Sequence, residues 1–342
     1  MNRAGRSAWT DAAFRDRFDA WARDRLAESG LRVSGPIDQP HVRPWSTVLR
    51  IPTDGGPVWA KALGPGTAHE AALLAAFAAW GSAGIVAPLA VDTELGWILS
   101  PDGGPTLRQT RPDGTGDHDL DAWERIIRDY AALQRSSETR VDDLTAAGVP
   151  DGRPATVAAT LRALVDDEDL WDLDLQDPED RAAVAAARPR LTALLPWVAD
   201  VAAELRELGI ASTIQHDDLH GGNIFVGPDG VRFFDWGDAV VAHPFGTLTV
   251  TLNSIAHHAG LAPTDPGLVR VRAAYLETWA DVAPRVDLER QLDLAIELGR
   301  IARAAAWKRA LRGVPADELE GHGGAPAAWL ADLVERRDRA VG

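Results

Sequence analysis

Ionisable chemistry is concentrated in one short stretch of the chain, IQHDDLHGGNIFV, from Ile214 to Val226. Two His, two Asp and an Asn surround two Gly between apolar runs. A second polar cluster, FFDWGDA, begins at Phe233. Asn223 and Asp235 supply hard oxygen ligands. Together with phosphate oxygens and water they suit Mg²⁺, which takes few protein ligands. Asp218, five residues before Asn223, is a carboxylate able to face a substrate hydroxyl. His216, Asp218 and His220 also alternate, a spacing open to Zn²⁺ and to metal-dependent hydrolysis.

A hairpin and a loop must hold these groups. STIQH and NIFV read as short strands around the loop DDLHGG, GPDG as a turn and VRFFDW as the next strand. Pairing Val226 with Val231 across that turn places Asn223 opposite Phe234, beside Asp235. A slip of one residue would set it opposite Asp235 itself. In either register the Asn and Asp side chains share one end of the hairpin with the Asp218 loop. Gly221 and Gly222 let the backbone turn tightly.

Upstream, STVLRI and VWAKAL read as strands joined by PTDGGP. TAHEAALLAAFAAW reads as a helix, with Thr67 as N-cap and Glu70 at the capping-box position. IVAPLAVDT and LGWILS follow as two more strands. The result is a small antiparallel sheet with one helix inserted after its third strand. Thr10 to Ser29 read as an amphipathic helix, capped by Thr10, whose Trp9, Phe14, Phe18, Trp21 and Leu26 pack on the body. The Gly-, Pro- and Asp-rich stretch after Leu99 is the best linker. Beyond it, apolar positions recur at helical spacing. The fold class is α+β, with a β-rich N-lobe, a hinge, a mainly helical C-lobe and a cleft between the lobes. The expected segments are an N-terminal helix in 1–30, the N-lobe in 31–100, the hinge in 101–118 and the C-lobe in 119–342.

HDDLHGGN fits the HxDxxxxN pattern of the kinase catalytic loop, and DWGDA stands where protein kinases have Asp-Phe-Gly. With an upstream strand Lys and a helical Glu, this ordered set resembles the aminoglycoside phosphotransferase family, which includes choline-kinase-like members. The resemblance runs from about Val33 to Trp307. It implies a bilobal protein-kinase-like fold and phosphoryl transfer from ATP, with Mg²⁺, to a hydroxyl of a small molecule. By position, Asp218 resembles the catalytic base, and Asn223 and Asp235 the Mg²⁺ ligands. Lys61 resembles the strand lysine that holds the α and β phosphates, and Glu70 its ion-pair partner. Leu99 and Ser100 resemble the hinge that meets adenine. Asp217 and Asp238 are candidates to face the substrate, and His216 and His220 to support the loop. Departures from the family pattern are visible. Asp217 replaces the Gly of the usual His-Gly-Asp. Gly246 and Thr247 follow HPF, where an acidic residue often stands. No GxGxxG precedes Lys61, so Ser46, Thr47 or backbone N–H groups would meet the phosphates.

Composition narrows the partners. The 51 acidic residues outnumber the 35 basic ones, giving a formal charge of -16. Nucleic acid is not expected, since phosphate binding needs clustered Lys and Arg. A cationic acceptor such as an amino sugar, an aminoglycoside or a quaternary amine suits such a chain. The helices from Thr247 to Trp307 are expected to form its pocket, with Asn253, His257, Glu277, Trp279, Glu297 and Trp307 as candidates. No Ala-Pro-Glu anchor of an activation loop is found, so a protein substrate is not expected. No apolar stretch approaches ~18 residues, so no membrane span is expected. The first residues carry charges throughout and no apolar core, unlike a secretion signal. The absence of Cys fits a reducing compartment, and a cytoplasmic location is expected. Two alternatives stand beside the kinase reading. One is a hydrolase built on His216, Asp218 and His220. The other is a kinase fold that holds a nucleotide or metabolite without turnover.

Overall fold

The computed structural model describes residues 4–171 and 178–341. The expected N-terminal segment 1–30 and C-lobe 119–342 therefore each include residues outside the described ones. Two helices open the chain, α1 (Arg6–Thr10) and α2 (Ala12–Glu28). The expected single helix from Thr10 is divided because Asp11 is its cap: the Asp11 carboxylate accepts from Phe14 N at 2.9 Å. Three strands follow, β1 (Asp38–Arg43), β2 (Ser46–Thr53) and β3 (Gly56–Leu63). Helix α3 (His69–Trp80) comes next, then β4 (Ala90–Asp92) and β5 (Trp97–Pro101). These strands form one antiparallel sheet in the order β1-β2-β3-β5-β4, with α3 after its third strand.

Alternation of side chains along a strand decides what each face of this sheet meets. Leu49, Ile51, Val58, Ala60, Ala62 and Leu99 join Phe18, Ala22 and Leu26 of α2 in one buried cluster. Phe18 lies 5.0 Å from Trp97, ring centre to ring centre. Burial of each such large side chain contributes about 1.5–3 kcal/mol. Lys61 falls between Ala60 and Ala62, and so on the opposite face, beside Ile98 across the ladder. That is the face α3 covers.

Helices α4 (Leu120–Ser136), α5 (Val141–Ala146), α6 (Pro154–Asp166), α7 (Glu168–Trp171) and α8 (Pro178–Glu207) begin the second lobe, with the short strand β6 (Asp151–Gly152) between α5 and α6. The polar strands follow: β7 (Thr213–Gln215), β8 (Ile224–Gly227), β9 (Gly230–Phe233) and β10 (Val240–Ala242). The chain closes with α9 (Leu248–Ala259), α10 (Pro266–Glu277), α11 (Arg285–Ala310) and α12 (Ala325–Val341). Strand β10 pairs in parallel with β6 and antiparallel with β7, which anchors the loop that leaves β7. One apolar cluster runs from Leu73 and Phe77 of α3 through Trp123 and Tyr130 of α4 to Leu298 of α11, and so joins the lobes. No helix among the described residues is long and apolar enough to cross a membrane.

The linker-like stretch is tied down along the polar hairpin. Leu107 N donates to Ile224 O at 2.7 Å, Arg108 N to Gly221 O at 3.1 Å, and Val226 N to Pro105 O at 2.9 Å. Its composition is that of a loop, but its backbone polar groups need partners and find them on β8 and the preceding loop.

Candidate active site

The hairpin has the expected register, with Val226 opposite Val231 and Ile224 opposite Phe233. Phe234 N donates to Asn223 O at 3.1 Å, so Asn223 stands opposite Phe234 and beside Asp235. The loop between β7 and β8 returns on itself. The tight turn does not come from left-handed glycines. Left-handed φ falls on Asp217 (61°) and Asp235 (65°) instead. Gly221 is required by close approach, since a Cβ there would lie 2.3 Å from Asp117 Cβ.

Both ring nitrogens of His216 serve the loop. Nε2 donates to Phe234 O at 2.8 Å, and Nδ1 accepts from Asp218 N at 3.3 Å. Burial lowers its pKa and keeps the ring neutral. His220 Nδ1 accepts from Gly222 N at 3.0 Å, and its Nε2 is 3.6 Å from Asp218 Oδ2. His216 thus has no nitrogen left for Zn²⁺. Among the described residues no group of three His, Asp or Glu is placed to hold a metal. The hydrolase alternative loses His216 as a ligand to the backbone.

Lys61 connects the lobes. Its Nζ lies 2.6 Å from Glu70 Oε2 and 2.5 Å from Asp235 Oδ1. The capping box expected at Thr67 does not form, because α3 starts at His69 with Ala68 before it. The Glu70 carboxylate is spent on Lys61 and on Trp236 N, at 3.2 Å. Burial disfavours the Lys61 ammonium, but Asp235 and Glu70 outweigh it and hold its pKa above the usual lysine range. Burial pushes the Glu70 carboxyl up against the pull of Lys61. The Asp235 side chain is 50% exposed to the cleft, against 2% for Glu70. Burial opposes its ionisation too, yet Lys61 keeps its pKa low.

The second carboxylate group lies across the cleft. Asn223 Nδ2 donates to Asp218 O at 3.0 Å and approaches Asp218 Oδ2 at 3.4 Å. Arg303 of α11 donates through one terminal nitrogen to Asp218 Oδ1 at 2.8 Å and through the other to Asp238 Oδ2. Burial opposes ionisation of Asp218, but Arg303, and after it His220, hold its carboxyl well below the usual range. Lys61, Ser46, Asp218, Asp235 and Asp238 line one cleft of about 130 Å³.

Other expected residues lie outside that lining. Thr47 is fully buried, and its hydroxyl is held between His41 O and Gln39 Nε2. Leu99 is buried in β5, and its carbonyl accepts from Leu89 N at 2.7 Å; Ser100 follows it opposite Trp59. Asp217 is buried under the loop and accepts from Gln215 Nε2 at 2.9 Å. Its Oδ2 has no partner, and burial pushes its carboxyl up to about 7. Of the acceptor-side candidates, Trp307 lines the cleft. Trp279 is buried against Phe245, and Glu277 pairs with Arg128. Sequence reasoning missed Trp45, Thr67 and Arg303, all of which line the cleft. For Arg303 the one available signal is its setting in IARAAAWKRA, a guanidinium among small residues.

The model of the phosphotransferase enzyme family matches residues 22–288. The match ends before Arg303 and Trp307. No curated protein sequence matches the chain. Solved structures share the fold at low identity. Ethanolamine kinase of Plasmodium vivax is 13% identical, with 94% of this chain and 89% of that one covered, at a TM-score of 0.62. Choline kinase of Cryptosporidium parvum is 9% identical, with 96% and 97% covered, at 0.61. Aminoglycoside 2'-phosphotransferase-IIIa, solved as its GDP complex, is 12% identical, with 94% and 98% covered, at 0.56.

Proposed function

The chain belongs to the phosphotransferase enzyme family and is a small-molecule kinase of protein-kinase-like fold; from that premise we propose that it transfers the γ-phosphoryl of ATP to a hydroxyl aligned by Asp218. The observation that carries this reading is the convergence of Lys61, from a strand of the first lobe, with Asp218 and Asp235, from a loop and a hairpin end of the second, on one cleft.

Asn223 and Asp235 would hold Mg²⁺. The donor set fits: the Asn223 amide nitrogen is spent on Asp218, which leaves its carbonyl oxygen as the ligand. Asp235 gives Oδ1 to Lys61 and keeps Oδ2. When bound, the ion neutralises charge on the phosphate oxygens during transfer. Lys61 supplies a fixed ammonium for the phosphates, braced by Glu70 from behind. Ser46, at the start of β2, lines the same side. Asp218 accepts a hydrogen bond from the acceptor hydroxyl and orients its lone pair. As the new P–O bond forms and the bond to the β-phosphate oxygen breaks, the hydroxyl proton passes to Asp218 and ADP leaves. A carboxylate held so far below neutrality is a weak base, so its main contribution is alignment. That suffices for a loose transfer in which positioning and charge carry most of the catalysis.

The test is ADP release from ATP and Mg²⁺ over a panel of aminoglycosides, sugars and amino sugars, choline, homoserine and methylthioribose, with Asp218→Asn as control. Acceptor-dependent release that vanishes in the variant is the expected result. Full activity in Asp218→Asn would remove the assignment.

A further inference from the structure

We propose that Arg303 determines acceptor specificity: it fills the cation position of the acceptor half of the cleft, so the compound phosphorylated there is an uncharged sugar or polyol rather than an amine. The inference rests on the reading of Asp218 as the acceptor-aligning carboxylate.

An ammonium-bearing acceptor needs unpaired carboxylates or an open aromatic face. The acceptor half has both kinds of group, and one side chain of the protein already occupies them. The Arg303 guanidinium is 7% exposed and bridges Asp218 and Asp238. Its centre also lies 5.3 Å from the ring centre of Trp307. Arg309 adds a second guanidinium, whose terminal nitrogen is 3.4 Å from Asp238 O. The charges of Asp218, Asp238, Arg303 and Arg309 cancel. The formal charge of -16 therefore says nothing about this corner of the cleft. A second cation would sit beside a buried guanidinium and meet only carboxylates already paired with it. An anion fares no better, because both arms of Arg303 are engaged.

A neutral hydroxyl compound meets neither obstacle. Its hydroxyls donate to lone pairs that Asp218 and Asp238 do not give to Arg303. Its apolar ring face has Trp45 to lie against. Trp45 and Trp307 both line the cleft, with ring centres 5.5 Å apart and planes at 89°. Arg303 lies beyond residues 22–288, which match the family model.

The test is ADP release by the full chain with matched acceptors: glucose against glucosamine, inositol against kanamycin, glycerol against ethanolamine. The expected result is kcat/KM at least about tenfold higher for the uncharged member of the preferred pair. Arg303→Met should erode that ratio by admitting the amine, and Arg303→Lys should keep it. A wild-type preference for the amine overturns the inference and leaves the kinase reading intact. An unchanged ratio in a folded Arg303→Met variant removes the role of Arg303. If Arg303→Met fails to fold, the wild-type ratio and Arg303→Lys decide. Absence of ADP release with every pair, while calorimetry shows MgATP bound, counts against the kinase reading and carries this inference down with it.

Discussion

The two halves of the cleft use the same device in different materials. On the side proposed for the nucleotide Lys61 stands between Glu70 and Asp235; on the side proposed for the acceptor Arg303 stands between Asp218 and Asp238. In each, one cation bridges two carboxylates in a partly dry site. A lysine ammonium is a compact point charge that can be shared with a phosphate, whereas a planar guanidinium fixes two carboxylates at once. The half proposed to accept a changing phosphate charge has the half-exposed Asp235. The half proposed to align one hydroxyl has a rigid fork. Only the second rests on a further buried carboxylate, Asp217, whose Oδ2 is unpaired.

The sharpest way to separate the halves is Asp218→Asn. Turnover should fall by about 10²–10⁴-fold, while nucleotide affinity measured by calorimetry changes little. A comparable loss of nucleotide binding would merge the two halves into one site.

Asp217 tests the extra carboxylate. Its folded pKa of about 7 lies above the value of ~3.9 for an unfolded Asp. The folded state therefore binds the proton more tightly. The associated stability is complete below about pH 4 and is lost as pH rises through 7. Its size is on the order of 4 kcal/mol. Asp217→Asn tolerates the left-handed backbone and cannot ionise. Denaturant melts from pH 4 to 8 should show a flatter profile for this variant than for the wild type. Parallel profiles would mean the carboxylate finds a partner in solution.

Lys61→Met should lower kcat/KM for ATP by about 10²-fold, through loss of fixed charge at the phosphates. Initial rates at varied ATP, with the acceptor saturating, check it. The smallest expected effects come from the outer carboxylates. Glu70→Gln should raise the KM for ATP by about tenfold and leave that for the acceptor unchanged, whereas Asp238→Asn should do the reverse. Equal effects of both variants on both substrates would break the division.

The donor half was legible because its residues sit in short patterns with independent support. Lys61 lies on a strand with period-two burial, and the Asn223–Asp235 pairing follows from one turn and one register. The capping-box reading of Glu70 failed because the same carboxylate had a stronger claim from Lys61, and the helix start moved to suit. By sequence Asp217 reads as a candidate to face the substrate. Sequence does not tell which way a loop carboxylate points, and this one points inward. Arg303 was hard to read for a different reason. Its partners are Asp218 and Asp238, 85 and 65 residues away, and no local pattern couples them.

What the sequence determined by itself was what depends on neighbours along the chain: the strands and their alternation, the hairpin register, and the ordered set of residues able to carry phosphoryl transfer. Tertiary structure alone decided which charges meet. It tied the linker-like stretch to β8, turned Asp217 under its loop, and brought α11 across the cleft to set Arg303 between two carboxylates. The reason is range. Backbone geometry and side-chain period act over a few residues, whereas an ion pair in a cleft depends on the packing of whole helices, which the distributed apolar core positions.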